Sequence, residues 1–280
     1  MTDFADARAR SDLMEGMVVA AIEAGAAIWK VFQEDFEVLS KADTSPVTAA
    51  DTAAEAVILK ALAHLAPATP VVAEEECAAG RIPEVRERFF LVDPLDGTKE
   101  FVKRGTDFTV NIGLIEHNTP TLGVVYAPAR DRIYAGDTAR GAAWTAEVEP
   151  GGPVPTARRP LRIRPLGERL TAVASKSHNS PETEAYLALC GVVERVSIGS
   201  SLKFCLLADG EADLYPRPAP TSEWDTAAGH AVLAAAGGRV FAPDGGPLLY
   251  AKPRFFNPGF VATAAFDPPP LAPYMPAGAA

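Results

Sequence analysis

The sequence predicts an α/β layered fold, α+β in its first half and alternating in its second. Three observations carry that reading. Two segments of helical periodicity open the chain, apolar runs with hairpin spacing fill its middle, and beyond about residue 165 strand-like and helix-like segments take turns.

Met14, Val18, Ile22, Gly25, Trp29 and Phe32 recur at three- and four-residue steps, which lines one face of a first helix. A second helix is expected in "SPVTAADTAAEAVILKALAHL", with Ile58, Leu62 and Leu65 on its apolar face. Thr52 and Glu55 read as its capping box, and Pro67 and Pro70 close it. "PVVAEEE" is a short strand running into three glutamates, and "RFFLVDPLDG" a buried strand that ends on a carboxylate. "FTVNIGLIEH" and "TLGVVYAP" form a hairpin turning at Asn118-Thr119-Pro120, and "RIYAGDTARGAAW" reads as another.

From about Glu147 to Arg169 the chain is rich in Pro, Gly and Arg, a connection whose arginines read as a solvated face. "LTAVAS", "VVERVSIG" and "ADLYPR" are then strands. Between and after them come the helices "SPETEAYLALCG", "SSLKFCLLADG" and the small-residue helix "DTAAGHAVLAAAGG", each ended by glycine. The expected organisation is one catalytic unit over 1–270, built from halves of about 1–150 and 165–270, with 271–280 a loose tail.

Composition narrows the functional classes. With 48% hydrophobic and 22% charged residues over 280 positions, the chain is ordinary globular material. A net charge of -10 argues against a nucleic-acid polymer as partner, and means that any anionic substrate needs cations supplied locally. Three cysteines match neither a zinc site nor a disulfide framework and read as thiols of a reducing compartment. The start "MTDFADARARSDLMEG" is too acidic and polar for a signal peptide, and no stretch approaches the length of an integral membrane span. A cytoplasmic location is expected; peripheral association with an inner membrane has no lipidation motif or basic amphipathic helix behind it. A kinase is disfavoured by the absence of a G-x-x-x-x-G-K-[ST] loop.

The carboxylates share a habit. Glu74 and Glu75 follow Val71-Val72, Asp93 follows Phe90-Leu91-Val92, Asp96 sits in the turn beyond Pro94, and Asp225 opens the Ala-rich helix. Oxygen donors at such firm, solvent-near positions suit Mg²⁺, which prefers a few carboxylates, water and substrate phosphate to a closed cage. Pro94 restricts the turn so that both aspartates can face one pocket, with the Leu95 carbonyl exposed between them. Gly97 permits close backbone approach, so its N–H and that of Thr98 can hold a phosphate. Taken singly, each has a plainer reading. Asp225 suits a helix N-cap, Asp51 an early-helix acid favoured by the dipole, Thr98 a turn hydroxyl, and Asp-Pro and Asp-Gly are common turn dipeptides.

"DPLDGT" at Asp93–Thr98 and "WDTAAG" at Trp224–Gly229 resemble the two signatures of the inositol monophosphatase superfamily of Mg²⁺-dependent, lithium-sensitive phosphatases. "SPVTAAD", "LGVVYAPA", "SIGSSLKFCLLADGEADLYPR" and "FFNPGF" further resemble its CysQ-type branch, the 3′(2′),5′-bisphosphate nucleotidases, in the right order over nearly the whole chain. That resemblance implies the layered αβαβα sandwich of the sugar phosphatases. It implies two or three Mg²⁺ per site, with Glu74, Asp93 and the Leu95 carbonyl on one ion and Asp93, Asp96 and Asp225 on a second. Thr98, held by Asp51, and Glu75 match the family residues that orient the attacking water.

Lys176, His178, Ser200, Lys203 and Arg217 match positions that contact the nucleotide and its second phosphate, although Lys203 alone also reads as a surface helix lysine. The implied reaction removes the 3′-phosphate of adenosine 3′,5′-bisphosphate, with its sulfated analogue as a further candidate substrate, in support of sulfate assimilation. The alternative is an inositol 1-phosphate or fructose 1,6-bisphosphate phosphatase with the same metals. The expected partner is a small nucleotide bisphosphate, and the chain a monomer or homodimer.

Overall fold

The computed structural model describes residues 7–40, 46–174 and 180–276. Lys176 and His178 lie outside the described residues. The first half contains α1 (Ala7–Gln33), β1 (Leu39–Ser40), β2 (Pro46–Val47), α2 (Ala49–Leu65), β3 (Val71–Ala73), α3 (Glu74–Ala78), β4 (Arg88–Asp96) and α4 (Thr98–Val102). The hairpin region supplies β5 (Thr109–Glu116), β6 (Thr119–Ala127), β7 (Arg132–Asp137) and β8 (Ala142–Glu147), followed by β9 (Arg159–Pro160). The second half holds β10 (Leu170–Ala174), α5 (Pro181–Leu189), β11 (Val192–Ser197), α6 (Leu202–Ala208), β12 (Leu214–Arg217), β13 (Thr221–Ser222), α7 (Trp224–Ala235), β14 (Arg239–Phe241), β15 (Phe256–Asn257) and β16 (Phe260–Thr263).

These elements stack in five layers, as the sequence led us to expect. A seven-stranded sheet runs β3-β4-β5-β6-β7-β8-β9, antiparallel except for β3 on β4. Helices α1 and α2 cover one face, where Met17, Val18 and Ile58 meet Phe90, Ile112 and Tyr126. Helices α6 and α7 cover the other, and beyond them lies a five-stranded sheet, β11-β10-β12-β16-β14, with α5 outermost. No helix among the described residues is long and apolar enough to cross a membrane.

Helix α7 lies unusually close to the large sheet, and glycines are the reason. Gly113 on β5, Gly123 on β6 and Gly136 on β7 are direct cross-strand partners, so they form a bare track across three strands. A methyl added at Gly113 would stand 2.9 Å from Ala227 Cβ, and one at Gly136 2.6 Å from Val232 Cα. One at Gly123 would fall on the carbonyl oxygen of Ala228. On its other side α7 presents Gly229, where a methyl would meet the Phe204 ring of α6 at 2.6 Å. The small-residue composition of this helix is therefore a packing requirement on both faces.

Several local expectations are corrected. The capping box of α2 is Thr48 with Asp51, not Thr52 with Glu55: the Thr48 N–H donates to Asp51 Oδ2 at 2.7 Å. Helix α2 thus starts earlier, and Glu55 is freed for another task. The hairpin turns on His117 and Asn118, both left-handed, so Thr119 and Pro120 belong to β6. The strand of "PVVAEEE" ends at Ala73, and Glu74 to Glu76 begin a short helix. The connecting arginines are paired: Arg158 forks onto Glu15 at 2.6 Å, Arg159 onto Asp209 at 2.6 Å, and Arg164 Nε donates to Asp213 at 2.7 Å. They tie the connection down beside β8. In the expected tail, Leu271 is buried and Tyr274 packs edge-on against Tyr186. The three cysteines are free thiols.

Gly123→Ala is expected to lower the unfolding free energy by about 3 kcal/mol, since backbone of α7 must move to admit the methyl. Gly167→Ala, where the methyl meets nothing, is expected to stay within about 0.5 kcal/mol of wild type. Chemical denaturation of both variants checks this.

Candidate active site

The site begins with a mismatch in the β4–β5 ladder. Asp93 pairs with Asn111 and Asp96 with Thr109, so two residues of β4, Pro94 and Leu95, stand opposite one of β5. In a regular strand, residues three apart point to opposite faces. The extra residue of this bulge restores them to one side. Pro94, which has no N–H to give the ladder, occupies the bulge. The Leu95 N–H turns inward to Asp93 Oδ1 at 3.0 Å.

Beyond the bulge Gly97 takes φ 93°, and a side chain there would sit 2.8 Å from the Asp107 carbonyl. The chain then enters α4 with Thr98, whose hydroxyl lies 3.2 Å from Asp51 Oδ1 and 3.1 Å from the Leu95 carbonyl. Asp51 is buried and its other oxygen accepts from the Thr48 N–H and hydroxyl. The capping box of α2 therefore also orients Thr98.

Glu74 enters from the end of β3. The short helix it opens is held by Glu55, which accepts the Glu75 N–H at 2.8 Å and the Glu76 N–H at 3.0 Å. Glu75 is half-buried beside it. Asp225 arrives from the opposite side on α7. It lies in the first turn and accepts the Ser222 N–H at 2.9 Å, while the N-cap position belongs to Glu223. Asp96 is bound most heavily: Oδ2 accepts from Ser200 Oγ at 2.7 Å and from the Ser201 N–H at 2.8 Å.

Together Glu74, Asp96, Gly97, Thr98 and Asp225 line a cleft of about 420 Å³. Ser200, Lys203 and Arg217 line the same cleft, as do the exposed Lys99 and Lys103. Lys203 is no surface lysine; it is buried, 5.3 Å from the centre of the Tyr215 ring, and donates to the Ser200 carbonyl at 2.9 Å. Arg217 Nε is buried without a partner, and among the described residues neither cation is paired with a carboxylate. The hydroxyl of Ser200, read as a substrate contact, is bonded to Asp96 and to Thr109.

The site concentrates negative charge where solvent cannot screen it. Burial, and then the charges of Glu74 and Asp96, hold the Asp93 carboxyl well above its ordinary range; burial and the same neighbours do so for Asp225. Burial pushes Lys203 down to about 8. Carboxylates forced together in this way are stabilised by a cation bound among them. Among the described residues no three His, Cys, Asp or Glu side chains converge closely enough to hold a metal ion as they stand. The donors are all hard oxygens, and an open set of them suits Mg²⁺, which keeps water and phosphate oxygens in its shell.

Residues 10–265 match the inositol monophosphatase family model. The chain belongs to the inositol monophosphatase family. Enzymes of this family are metal-dependent phosphatases, typically using Mg²⁺. The chain is 47% identical over 251 residues to the Escherichia coli (strain K12) protein named 3′(2′),5′-bisphosphate nucleotidase CysQ, covering 89% of this chain and 98% of that one. It is 40% identical to the protein of the same name from Buchnera aphidicola, covering 90% and 94%. Among solved structures, CysQ from Bacteroides thetaiotaomicron superposes with a TM-score of 0.77 at 38% identity, covering 91% of this chain and 98% of that one. The match agrees with the five layers described above.

No site role was expected of Thr48, Glu55, Thr109, Asn111 or Ser201, all of which hold site residues in place. A signal was present for two of them. Thr109 and Asn111 are polar residues in phase on an otherwise apolar strand, which marks a buried polar face.

Burial raises Glu55 to about 7. Its neutral form is thus favoured by the fold, and its contribution to stability falls as pH rises from the ordinary carboxylate range through about 7. In metal-free buffer, Glu55→Gln is expected to be less stable at pH 5 but to lose less stability than wild type between pH 5 and 7.5. Thermal unfolding over that range checks the slope.

Proposed function

We propose that this protein is a Mg²⁺-dependent 3′(2′),5′-bisphosphate nucleotidase that removes the 3′-phosphate of adenosine 3′,5′-bisphosphate to leave AMP, and accepts the sulfated analogue. The observation that carries the reading is the cleft itself. A hard-oxygen donor set shares the cleft with the buried Lys203 and the half-buried Arg217, whose Nε has no hydrogen-bond partner. A monophosphate held by metal alone has no need of Lys203 and Arg217; a second phosphate does. The names of relatives at 47% and 40% identity support the same substrate class. Clearing this by-product suits a role in sulfate assimilation, and a nucleotide substrate suits the cytoplasm.

In this reading Glu74, Asp93, the Leu95 carbonyl, Asp96 and Asp225 hold two or three cations. When bound, Mg²⁺ neutralises the phosphate charge and acidifies a water for in-line attack. The chain's own residues do the rest. Thr98 donates its hydrogen to Asp51, which leaves its lone pairs to accept from the attacking water and aim it. Asp51, fixed by Thr48, draws the proton away from the reacting centre. Glu75 assists on the same water, and the Gly97 and Thr98 N–H groups receive the transferred phosphate. Lys203 and Arg217, with Ser200 and residues Lys176 and His178, hold the nucleotide and its remaining phosphate. Binding lysine and arginine here offsets the net charge of -10 that would otherwise repel the substrate.

Phosphate release should be measured from adenosine 3′,5′-bisphosphate, inositol 1-phosphate and fructose 1,6-bisphosphate, with Mg²⁺ and with chelator. The nucleotide is expected to be preferred, and Asp93→Asn to lower kcat by about 10³-fold, beyond the 10–100-fold typical of a residue that only supports a metal ligand. Preference for inositol 1-phosphate would leave the metal chemistry standing and overturn the roles of Lys203 and Arg217.

The ammonium of Lys203 is charged below about 8 and neutral above it. KM for the bisphosphate is therefore expected to rise as pH passes through that value. Lys203→Met should raise KM at pH 7 by about tenfold or more, as loss of a charge-assisted hydrogen bond implies, and should flatten this limb of the profile.

A further inference from the structure

Across the bulge, Asp93 and Asp96 face Asn111 and Thr109. Both polar residues are fully buried, and neither lines the cleft. A buried amide is costly unless its donors and acceptor are used, and here they are used in one direction. Thr109 Oγ1 stands 2.9 Å from Asn111 Oδ1 and shares its single hydrogen between that oxygen and Ser200 Oγ, while Asn111 Nδ2 approaches Asp96 Oδ2 at 3.5 Å, and the carboxylate beside it sets which way round the amide stands. Asn111 Nδ2 then donates to Ser201 Oγ at 2.9 Å. With that lone pair occupied, Ser201 turns its own hydrogen toward the Asp225 carbonyl oxygen at 2.8 Å and Asp96 Oδ2 at 3.2 Å. The Ser201 N–H and the Ser200 hydroxyl reach the same Oδ2 at 2.8 and 2.7 Å. That oxygen is saturated, while Asp96 Oδ1 accepts from no donor among the described residues.

We propose that Asn111 and Ser201 are positioning residues that lock the Asp96 carboxylate with Oδ2 turned into the protein and Oδ1 left for the cleft, and that tie it to the first turn of α7. The inference rests on the reading of Asp96 as a Mg²⁺ ligand. Mg²⁺ demands near-ideal octahedral directions, so a ligand oxygen free to rotate binds it less well than a fixed one. The link from Ser201 to the Asp225 carbonyl holds the carboxylates of β4 and α7 in one frame. Loss of the frame weakens the cation and leaves nucleotide contacts intact. A merely structural role would lower stability and leave the folded protein's affinity for Mg²⁺ unchanged.

The test is calorimetric titration of Mg²⁺ into the metal-stripped full chain as wild type, Ser201→Ala, Asn111→Ala and Asp96→Asn, each with its melting temperature recorded in chelator. Ser201→Ala keeps the backbone N–H to Asp96 and removes one atom, so it reports even where Asn111→Ala does not fold. Folded Ser201→Ala and Asn111→Ala are expected to bind Mg²⁺ about 10–100-fold more weakly than wild type. Their KM for the nucleotide at saturating Mg²⁺ is expected to stay within about twofold, the signature of an interaction not made with substrate. Wild-type Mg²⁺ affinity in folded Ser201→Ala, with Asp96→Asn weakened, overturns the positioning role. Equal binding by wild type and Asp96→Asn overturns the metal reading instead, so the two failures are told apart.

Discussion

Close approach of α7 to the large sheet is the constraint on which the rest of the structure depends. Three glycines that are partners across β5, β6 and β7 leave the helix backbone room to settle on the strands. Interiors are packed like crystals, so a helix held off by even one methyl would open a void along its length. At this depth the first turn of α7 comes level with the end of β4. Asp225 then stands near Asp93 and Asp96, close enough for the Asp96 charge to add to burial in raising both the Asp93 and the Asp225 carboxyls. A packing decision made by glycines becomes an electrostatic one at the site.

The site follows a single rule: each of these aspartates gives one oxygen to the protein. Asp93 is held by the Leu95 N–H, Asp96 by Ser200 and Ser201, and Asp225 by the Ser222 N–H. Held carboxylates cannot swing apart to relieve their repulsion. Carboxylates held close in this way are stabilised by a cation among them, and Lys203 and Arg217 line the same cleft. They put positive charge beside the carboxylates of a protein whose net charge is -10.

Much of this was legible in the linear sequence. The apolar run Phe89 to Val92 ending on Asp93, the Pro94 and Gly97 around Asp96, and the glycine-punctuated alternation after residue 165 mark local geometry, and local geometry is written in residue type. The misreadings were also local in cause. Thr52 with Glu55 and Thr48 with Asp51 have the same capping spacing, and only the start of α2 separates them. Asp225 in the first turn and Asp225 as a cap differ by two residues. Lys203 read equally as surface and as cleft because a seven-residue helix buried on all sides has no periodicity to betray its orientation.

The sequence by itself determined most element types, the layered class and the family, because these rest on residue patterns that run along the chain. Only the tertiary structure decided that Glu55 would anchor the helix of Glu74, that Asn111 and Ser201 would grip Asp96, and that connecting arginines on a solvated face would also find carboxylate partners. Those contacts join residues some 20 to 140 positions apart. A hydrogen bond needs its partner within about 3 Å and in line, and no pattern in a single chain specifies that until the sheets have stacked.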